Sequence, residues 1–312
     1  MSAYSHESVM VAEVLQYLQV GPNKNYIDGT VGGGGHAEAI LKKNGPHGRV
    51  LGLDLDPRAI AAATSRLRRF GARAIVRREN YKQITKKFDA VSSITPISGF
   101  LLDLGVSSDQ LDTAGRGFSF TDQGPLDMRF DPETGQTAAQ LIARVPEDEL
   151  GQIIRDYGDE RQWRKIARSL KQVSRQFDNR LLVPQIVEAI TKVLPPRITK
   201  IHPATKTFQA LRIAINQELD NIQQALPRII ELLPSGARLV IIAFHSAEDR
   251  IVKHWFRSQA RDCICPASQP ICTCSHKASL KILTKKAIRP GPEEISNNHR
   301  SRSAVLRAVE KI

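Results

Sequence analysis

The sequence predicts an α/β protein with a parallel sheet, helices on both faces, and a helical domain inserted between the fourth and fifth strands. Two observations predict this class. Short apolar and β-branched runs alternate with helix-like segments in the first third of the chain, and this repetition is typical of a parallel sheet. A long stretch with helical periodicity then separates the fourth run from the fifth, which places an insertion there.

Five apolar runs are predicted to be buried strands: Asn25–Asp28, Arg49–Asp54, Arg73–Val76, Gly99–Asp103 and Arg238–Phe244. Helices are predicted over Ala37–Lys43 and over Pro57–Phe70, where a proline suits the first helical turn. Two late runs, Leu280–Thr284 and Ala304–Val309, are expected to add a terminal hairpin.

A Gly/Asp/Ser-rich stretch, Gly105–Gly135, follows the fourth strand and is too long for a plain connection, which indicates a functional loop. Helical patterns continue from residue 137 to about 195. Apolar residues over Phe208–Leu226 then recur at spacings of three and four, which predicts one amphipathic helix. We therefore expect three segments: 1–136, the first part of the sheet domain with an active-site loop; 137–206, an inserted helical substrate-recognition domain; and 207–312, the second part of the sheet domain with a basic, Cys-containing tail.

Positive charge is unevenly distributed along the 312 residues, whose 45 Lys and Arg against 32 Asp and Glu give a formal charge of +13. Residues 1–136 and 207–252 carry +1 and −1, whereas 137–206 and 253–312 carry +5 and +8. Such segregation favours a polyanionic partner, nucleic acid above all. The proportions of apolar (41%) and charged (25%) residues exclude a mainly disordered chain.

The expected location is the cytoplasm. No run approaches the ~18 apolar residues of a membrane span, and Met1–Met10 holds no apolar signal core. Four cysteines in a chain of this length are too few for a disulfide framework, as expected of a reducing compartment.

A glycine-rich loop, Asp28–His36, follows the first predicted strand and opens a helix. Glycines let the backbone approach a ligand closely, and a helix N-terminus offers free N–H groups. Asp54 ends the second strand 19 residues beyond Gly35, where a carboxylate can accept both hydroxyls of a ribose. The combination predicts a cofactor of adenosine type.

Asp28 directs the choice of cofactor. A carboxylate before the glycines is unhelpful beside a pyrophosphate but helpful beside an ammonium, and no Gly-Lys-Ser/Thr of a P-loop follows. S-adenosylmethionine, with a ribose, an ammonium and no phosphate, fits best. Without a ligand, Asp28 would be a loop cap and His36 a helix-start residue bonded to a nearby backbone group.

Asp103 ends the fourth strand, and Asp109, Gln110, Asp112 and Asp127 follow on the loop. In open α/β sheets ligands lie beyond the carboxyl ends of the strands, so Asp103 is predicted to point toward the reactive end of the cofactor. The alternative is a simple turn former.

The tail contains Cys263-x-Cys265 and Cys272-x-Cys274, with His276 close by. Four thiolates suit tetrahedral zinc, although C-x-C is less favourable than the usual C-x-x-C. A disulfide pair or simple free thiols remain open, so any metal is left unassigned.

Eight motifs resemble those of the bacterial ribosomal RNA small-subunit methyltransferase H family, also called MraW, in the same order. They are His6–Met10, Asp28–His36, Leu101–Ser108, Arg116–Phe120, Gly124–Arg129, Tyr157–Arg161, His202–Ala210 and Phe244–Arg250. The resemblance implies a Rossmann-like class I methyltransferase sheet with a helical insertion. It also implies S-adenosylmethionine-dependent methylation of N4 of cytosine 1402 in 16S rRNA.

By this resemblance the cofactor contacts are Gly34, Gly35, His36, Asp54, Tyr81, Asp103 and Gln110. The family often has Phe where this chain has Tyr81, and either ring can cover the adenine or favour the sulfonium through its π-face. The partner is the small ribosomal subunit or its 16S rRNA. The oligomeric state stays open, a homodimer included.

Methylation of an exocyclic amine requires an acceptor for the amine N–H, because the nitrogen lone pair is delocalised into the ring. Asp103 or the backbone carbonyls that follow it are the candidates. Methylation at C5 would require a cysteine nucleophile, and all four cysteines lie in the tail. Phe118, Phe120 and Arg129 are predicted to stack on or grip a flipped base.

His245 follows the fifth strand and is a candidate substrate contact, while Ser246 with Asp249 resembles a capping box. Two other functions are weighed. An amino-group DNA methyltransferase usually shows Pro-Pro-Tyr after the fourth-strand acid, where this chain has Leu104-Gly105-Val106. A non-catalytic RNA-binding assembly factor would not need the complete acidic set and glycine loop.

Overall fold

The computed structural model describes residues 8–177, 180–194, 202–266, 268–269 and 271–312. The chain forms two compact units. The first comprises the chain up to Gly105 and again from Leu219 to Ile312, and the second comprises Val106–Glu218. In the part of the chain that the structure describes, no helix is both long and apolar enough to cross a bilayer.

A seven-stranded sheet forms the centre of the first unit. Its strands are β1 (Asn25–Asp28), β2 (Val50–Asp54), β3 (Ala74–Arg78), β4 (Ile97–Asp103), β5 (Arg238–Ala243), β6 (Leu280–Ile282) and β7 (Val305–Lys311). The strand order is β3-β2-β1-β4-β5-β7-β6. The strands β1 to β5 pair in parallel, whereas β7 is antiparallel to both β5 and β6. All five predicted strands are thus confirmed, and the two late runs do pair with each other.

Thirteen α-helices lie within the described ranges. They are α1 (Val11–Tyr17), α2 (Gly35–Lys43), α3 (Pro57–Leu67), α4 (Asp89–Ser92), α5 (Ser108–Asp112), α6 (Ala138–Arg144), α7 (Glu147–Gly158), α8 (Trp163–Gln176), α9 (Val183–Val193), α10 (Thr205–Asn216), α11 (Glu218–Leu232), α12 (Ser246–Gln259) and α13 (Pro292–Asn297). The α3 helix is shorter than predicted, because a 3₁₀ segment takes over from residue 68.

Helices cover both faces of the sheet. Successive strand residues point to opposite faces, so Ile27 and Phe100 pack with α11 and α12 in one core cluster. Their neighbours Tyr26 and Leu101 pack with α1, α2 and α3 in another. Because both faces are buried, the strands read as almost continuous apolar runs, which is why the sequence revealed them.

The amphipathic stretch Phe208–Leu226 forms two helices, α10 and α11, and the prediction of one helix is wrong. Gln217 between them adopts a left-handed conformation with φ 51°. Asn216 turns its side chain to the distant loop, where its Nδ2 donates to Met128 O (2.8 Å) and its Oδ1 accepts from Phe130 N (2.7 Å). These tertiary hydrogen bonds accompany a break that periodicity alone does not show.

The glycine-rich loop after β4 belongs to the helical unit. Asp122 accepts hydrogen bonds from the backbone N–H groups of Gly115, Gly117 and Gly124. The loop residues Phe118, Leu126 and Met128 are buried in the same core cluster as α6 to α10. The predicted insertion at 137–206 therefore lies inside a larger compact unit, because the preceding loop and the rest of α10 share its core.

Candidate active site at the carboxyl edge of the sheet

Asp28, the last residue of β1, is completely buried. Its Oδ1 accepts a hydrogen bond from Thr30 N at 3.2 Å, as a loop cap does. Its Oδ2 is also buried and has no hydrogen-bond partner among the described residues. Burial raises the pKa of this carboxyl to about 7. A buried acceptor without a partner is suited to a cationic or N–H-bearing ligand group.

The loop after Asp28 is bound to β4 by one backbone and one side-chain hydrogen bond. Gly29 N donates to Leu101 O (2.9 Å), and Asp103 N donates to Thr30 Oγ1 (2.6 Å). A Cβ on Gly29 would lie 2.7 Å from Leu102 Cδ2, so only glycine lets the loop approach β4 this closely. These two hydrogen bonds hold the ends of β1 and β4 together.

The second half of the loop begins α2. Gly34 is the N-cap and has φ 83°, a conformation that favours glycine. Gly35, the first residue of the helix, lies against the N-terminal segment, since a Cβ on Gly35 would fall 2.1 Å from Ser8 Oγ. No pattern in the sequence indicated that a residue near the N-terminus lies against the glycine loop.

His36 and Asp103 form the central pair of the site. His36 Nε2 lies 3.4 Å from Asp103 Oδ2, and the two side chains are 4% and 11% exposed. Burial alone would lower the pKa of His36, but the carboxylates of Asp103 and Asp28 raise it above its usual value. His36 Nδ1 and Asp103 Oδ1 have no hydrogen-bond partner within the described ranges. Neither ring nitrogen of His36 bonds a backbone group of the described residues, as the alternative without a ligand would require, and the ring faces the strand-end acid instead.

Asp54 ends β2 beside this group, and its carboxylate is held by the backbone. Oδ2 accepts from Gly32 N and Oδ1 from Asp56 N, both at 2.9 Å. Burial raises the pKa of Asp54 to about 6. Each oxygen keeps a second lone pair, which a ribose hydroxyl can use.

The remaining predicted contacts fall in different places. Tyr81 follows β3 in a 3₁₀ turn, and its Cβ would lie 3.2 Å from a Cβ on Gly29, so it borders the loop. Gln110 lies on α5 in the second unit, where its Oε1 accepts from Ser107 N (3.0 Å) in a capping box with Ser107. The first unit thus gathers at one sheet edge Gly34, Gly35, His36, Asp54, Tyr81 and Asp103.

The helix start after β5 differs from the prediction. His245, not Ser246, is the N-cap of α12, and its capping-box partner is Glu248 rather than Asp249. Glu248 is 1% exposed and its Oε2 accepts from Phe244 N at 2.8 Å. Asp249 pairs instead with Arg307 of β7. Sequence reasoning missed Glu248, although its position three residues after His245 is the usual capping-box spacing.

The residues predicted to grip a flipped base already have partners in the second unit. Phe118 is buried and stacks on Phe130 with ring centroids 5.7 Å apart. Phe120 stacks on His202 at 4.7 Å. Arg129 makes a bidentate pair with Asp127. These contacts pack the three side chains within the second unit, and their contact with a flipped base stays a prediction.

Known proteins resemble this chain over nearly its whole length. The model of the MraW methylase family matches residues 3–312. Ribosomal RNA small subunit methyltransferase H of Trichlorobacter lovleyi is 46% identical over 314 residues, with 100% of each chain covered. The enzyme of the same name from Syntrophotalea carbinolica is 45% identical over 311 residues, covering 99% of this chain and 98% of its own.

The solved structure of an rRNA methylase from Streptococcus thermophilus is also similar, with a TM-score of 0.42, 10% identity and 99% of both chains covered. The predicted α/β fold, a Rossmann-like sheet with a helical insertion between the fourth and fifth strands, is confirmed by the strand order and by the helices α6 to α10 between β4 and β5. With a match over residues 3–312 and full-length relatives at 46% identity, the chain belongs to the MraW methylase family.

Proposed function

We propose that this protein is a cytoplasmic, S-adenosylmethionine-dependent methyltransferase of 16S rRNA that acts on N4 of cytosine 1402. One observation carries the proposal. The ends of β1 and β4 and the first turn of α2 bring Asp28, Asp103 and His36 together, with buried polar atoms that have no hydrogen-bond partner in the described part of the chain. The names of the full-length relatives support the substrate.

The residues present fit the cofactor. Asp28 Oδ2 is a buried acceptor suited to the ammonium group, and the half-buried Asp54 is suited to the ribose. Gly34 and Gly35 leave the N-terminal amides of α2 near the ligand. Tyr81 borders the loop through its Cβ, and an aromatic side chain at this place can favour a cation through its π-face. We also place Gln110 among the contacts, on the strength of the family resemblance. The bound cofactor supplies a methyl group on a sulfonium, which needs no metal.

Asp103 is the proposed catalytic residue. Direct displacement requires the amine and the methyl to be aligned, and this alignment contributes several kcal/mol to catalysis. Asp103 Oδ1, which has no partner within the described residues, accepts the amine N–H and so localises the nitrogen lone pair. His36 Nε2 lies 3.4 Å from the other oxygen, Oδ2, and so helps to orient the carboxylate. As the nitrogen bonds the methyl carbon, the methyl–sulfur bond would break with its electron pair left on sulfur, and the amine proton would pass to Asp103 and then to solvent.

The basic segments are proposed to hold the RNA, and the segment 137–206 is proposed to recognise the substrate. They carry +5 (residues 137–206) and +8 (residues 253–312), while the rest of the chain is close to neutral. Phosphate contacts by Lys and Arg supply most of the sequence-independent affinity for RNA.

The test is radiolabelled methyl transfer from S-adenosylmethionine to assembled small subunits, naked 16S rRNA and DNA, followed by nucleoside analysis. The proposal expects N4-methylcytidine in rRNA at the decoding-region position. Label on C5 of cytosine, on adenine, or on DNA alone would overturn the substrate assignment. Isothermal titration with S-adenosylmethionine separates an enzyme from an RNA-binding assembly factor, since the second would show no binding.

A further inference from the structure

The segment between α12 and β6 brings four cysteines together. Cys263, Cys265, Cys272 and Cys274 each offer a sulfur, and all four Sγ atoms lie within 4.8 Å of one another. None of them is in a disulfide. From the sequence, C-x-C spacing is less favourable than C-x-x-C for binding one metal ion. In the structure, however, the two sulfurs of each C-x-C pair lie close together.

The sulfur–sulfur distances match one tetrahedral metal. Zinc–sulfur bonds are about 2.3 Å long, so the edge of a zinc–thiolate tetrahedron is about 3.8 Å. Cys272 Sγ and Cys274 Sγ are 3.6 Å apart, and Cys274 Sγ and Cys263 Sγ are 3.8 Å apart. A disulfide would need a separation of about 2.05 Å. An iron–sulfur cluster would spread the thiolates over several irons. The sulfur–sulfur distances therefore favour one metal ion bound by all four thiolates.

Backbone donors and local charge favour thiolates at this place. Ile264 N donates to Cys274 Sγ at 3.5 Å, and Cys265 N donates to Cys263 Sγ at 3.4 Å. Four thiolates around a divalent ion carry a net charge of −2, and the surrounding tail (residues 253–312) has 12 basic residues against 4 acidic ones. His276 is not required as a ligand, because its Nε2 lies 3.1 Å from Ser258 O.

The described residues between α12 and β6 have neither regular secondary structure nor an apolar core. They form no helix or strand. Ile264 and Ile271 beside the cysteines are 52% and 75% exposed, so no apolar core orders them. In small segments of this kind a metal replaces the missing core.

We propose that Cys263, Cys265, Cys272 and Cys274 bind one zinc ion. The site is structural, because the protein fills all four positions and leaves none for substrate. Binding zinc orders the link that joins α12 to β6, and with it the basic side chains of Arg261 and Lys277 that flank the cluster.

The direct test is metal analysis of the full chain, purified anaerobically under reducing conditions. We expect about one zinc per chain, and we expect cobalt(II) to replace it with the visible bands of a tetrahedral thiolate site. Iron in place of zinc, a Cys–Cys disulfide in freshly prepared protein, or less than about a tenth of an equivalent of metal would each overturn the proposal.

Two variants test the ligand set. Cys263→Ser with Cys272→Ser should lose the metal, whereas His276→Ala should keep the full equivalent as a matched control. Extraction of zinc from the unmutated protein by a chelator should speed proteolysis between α12 and β6 while leaving the thermal midpoint of the sheet domain nearly unchanged. Unaltered cleavage after complete extraction would show that the ion does not order this segment, contrary to the proposal.

Discussion

Asp28 stays partly protonated near neutral pH, because its complete burial raises its pKa to about 7. An Asp in an unfolded chain has a pKa of about 3.9. Between about pH 4 and pH 7 the folded chain therefore holds a proton that the unfolded chain has lost, and the free energy of unfolding falls as the pH rises. Above pH 7 the buried, ionised Asp28 lowers the free energy of unfolding by on the order of a few kcal/mol. A cation bound to Asp28 would offset this loss.

Asp28→Asn should therefore stabilise the free protein by about 1–3 kcal/mol at pH 8 and have little effect near pH 4. The same variant should weaken S-adenosylmethionine binding at least ~10-fold, because the ammonium loses its counter-charge. Urea unfolding at both pH values and titration calorimetry measure the two effects. The exposed Asp89→Asn serves as control. A variant less stable than the parent at pH 8 would contradict the assignment of this cost to Asp28.

Asp103→Asn keeps the shape of the side chain but removes its basicity. We expect kcat to fall ~10²–10⁴-fold, the usual contribution of a positioned base, with a smaller effect on cofactor affinity and an unchanged thermal midpoint. Single-turnover methyl transfer and circular dichroism measure these quantities. Near-normal turnover would remove Asp103 from the mechanism.

The acids Asp28, Asp54 and Asp103 could be predicted because each directly ends an apolar run, and the ends of parallel strands meet at one edge. The residues that contact this group of acids and the glycine loop could not be predicted from the sequence. The contact of His36 with Asp103 and the covering of Gly35 by Ser8 depend on how the loop folds back in three dimensions.

The C-terminal end of helix α6 is capped by a side chain of helix α8. Lys171 Nζ donates to the carbonyl oxygens of Ile142 (2.8 Å), Ala143 (2.9 Å) and Val145 (2.9 Å). A cation at the C-terminal end of a helix also interacts favourably with the helix dipole. One side chain thus satisfies three carbonyls that the helix itself leaves unpaired.

Lys171→Met retains the aliphatic stem and removes the donors, so we expect a loss of about 1–3 kcal/mol in the free energy of unfolding. Lys165→Met, on the same helix but exposed, should change it by less than ~0.5 kcal/mol. Urea unfolding followed by far-ultraviolet circular dichroism compares the two variants. Equal shifts would show that the carbonyl contacts contribute nothing.

Element boundaries were predictable where residues next to each other in the sequence set them. The start of α3 is a clear case, since Asp56 caps it by accepting from Arg58 N (2.9 Å) and Pro57 follows. The break at Gln217 was not predictable, because Asn216 there bonds to Met128, 88 residues away in the chain. Periodicity reports which face of a helix is buried, but not where a distant loop interrupts it.

Most of the excess positive charge and most of the proposed catalytic and cofactor-binding residues lie in different parts of the sequence. The exposed residues Arg257, Lys281 and Lys285 line one shallow depression in the +8 tail. Neutralising all three with Gln should weaken RNA binding and reduce the slope of log K against log salt by about 2–3, because fewer counterions are released. Cofactor affinity should hardly change.

The matched control replaces Lys43, Lys86 and Lys87, which are exposed but lie outside the two basic segments. Filter binding or fluorescence anisotropy across a salt series measures the slope for each triple variant. If both variants lower it equally, binding follows total charge and the basic tail has no special part in it.

The two-part construction of the sheet unit has a consequence for synthesis on the ribosome. β4 emerges long before β5, its final neighbour, because the whole of Val106–Glu218 is made between them. At ~5–20 residues per second that delay is on the order of ten seconds. If β1 to β4 pair during this time, the unpaired backbone N–H and C=O groups on the open edge of β4 are a template for wrong pairing. We therefore expect nascent chains halted before residue 238 to aggregate or to recruit chaperones, and this hazard should end only when β5 is complete.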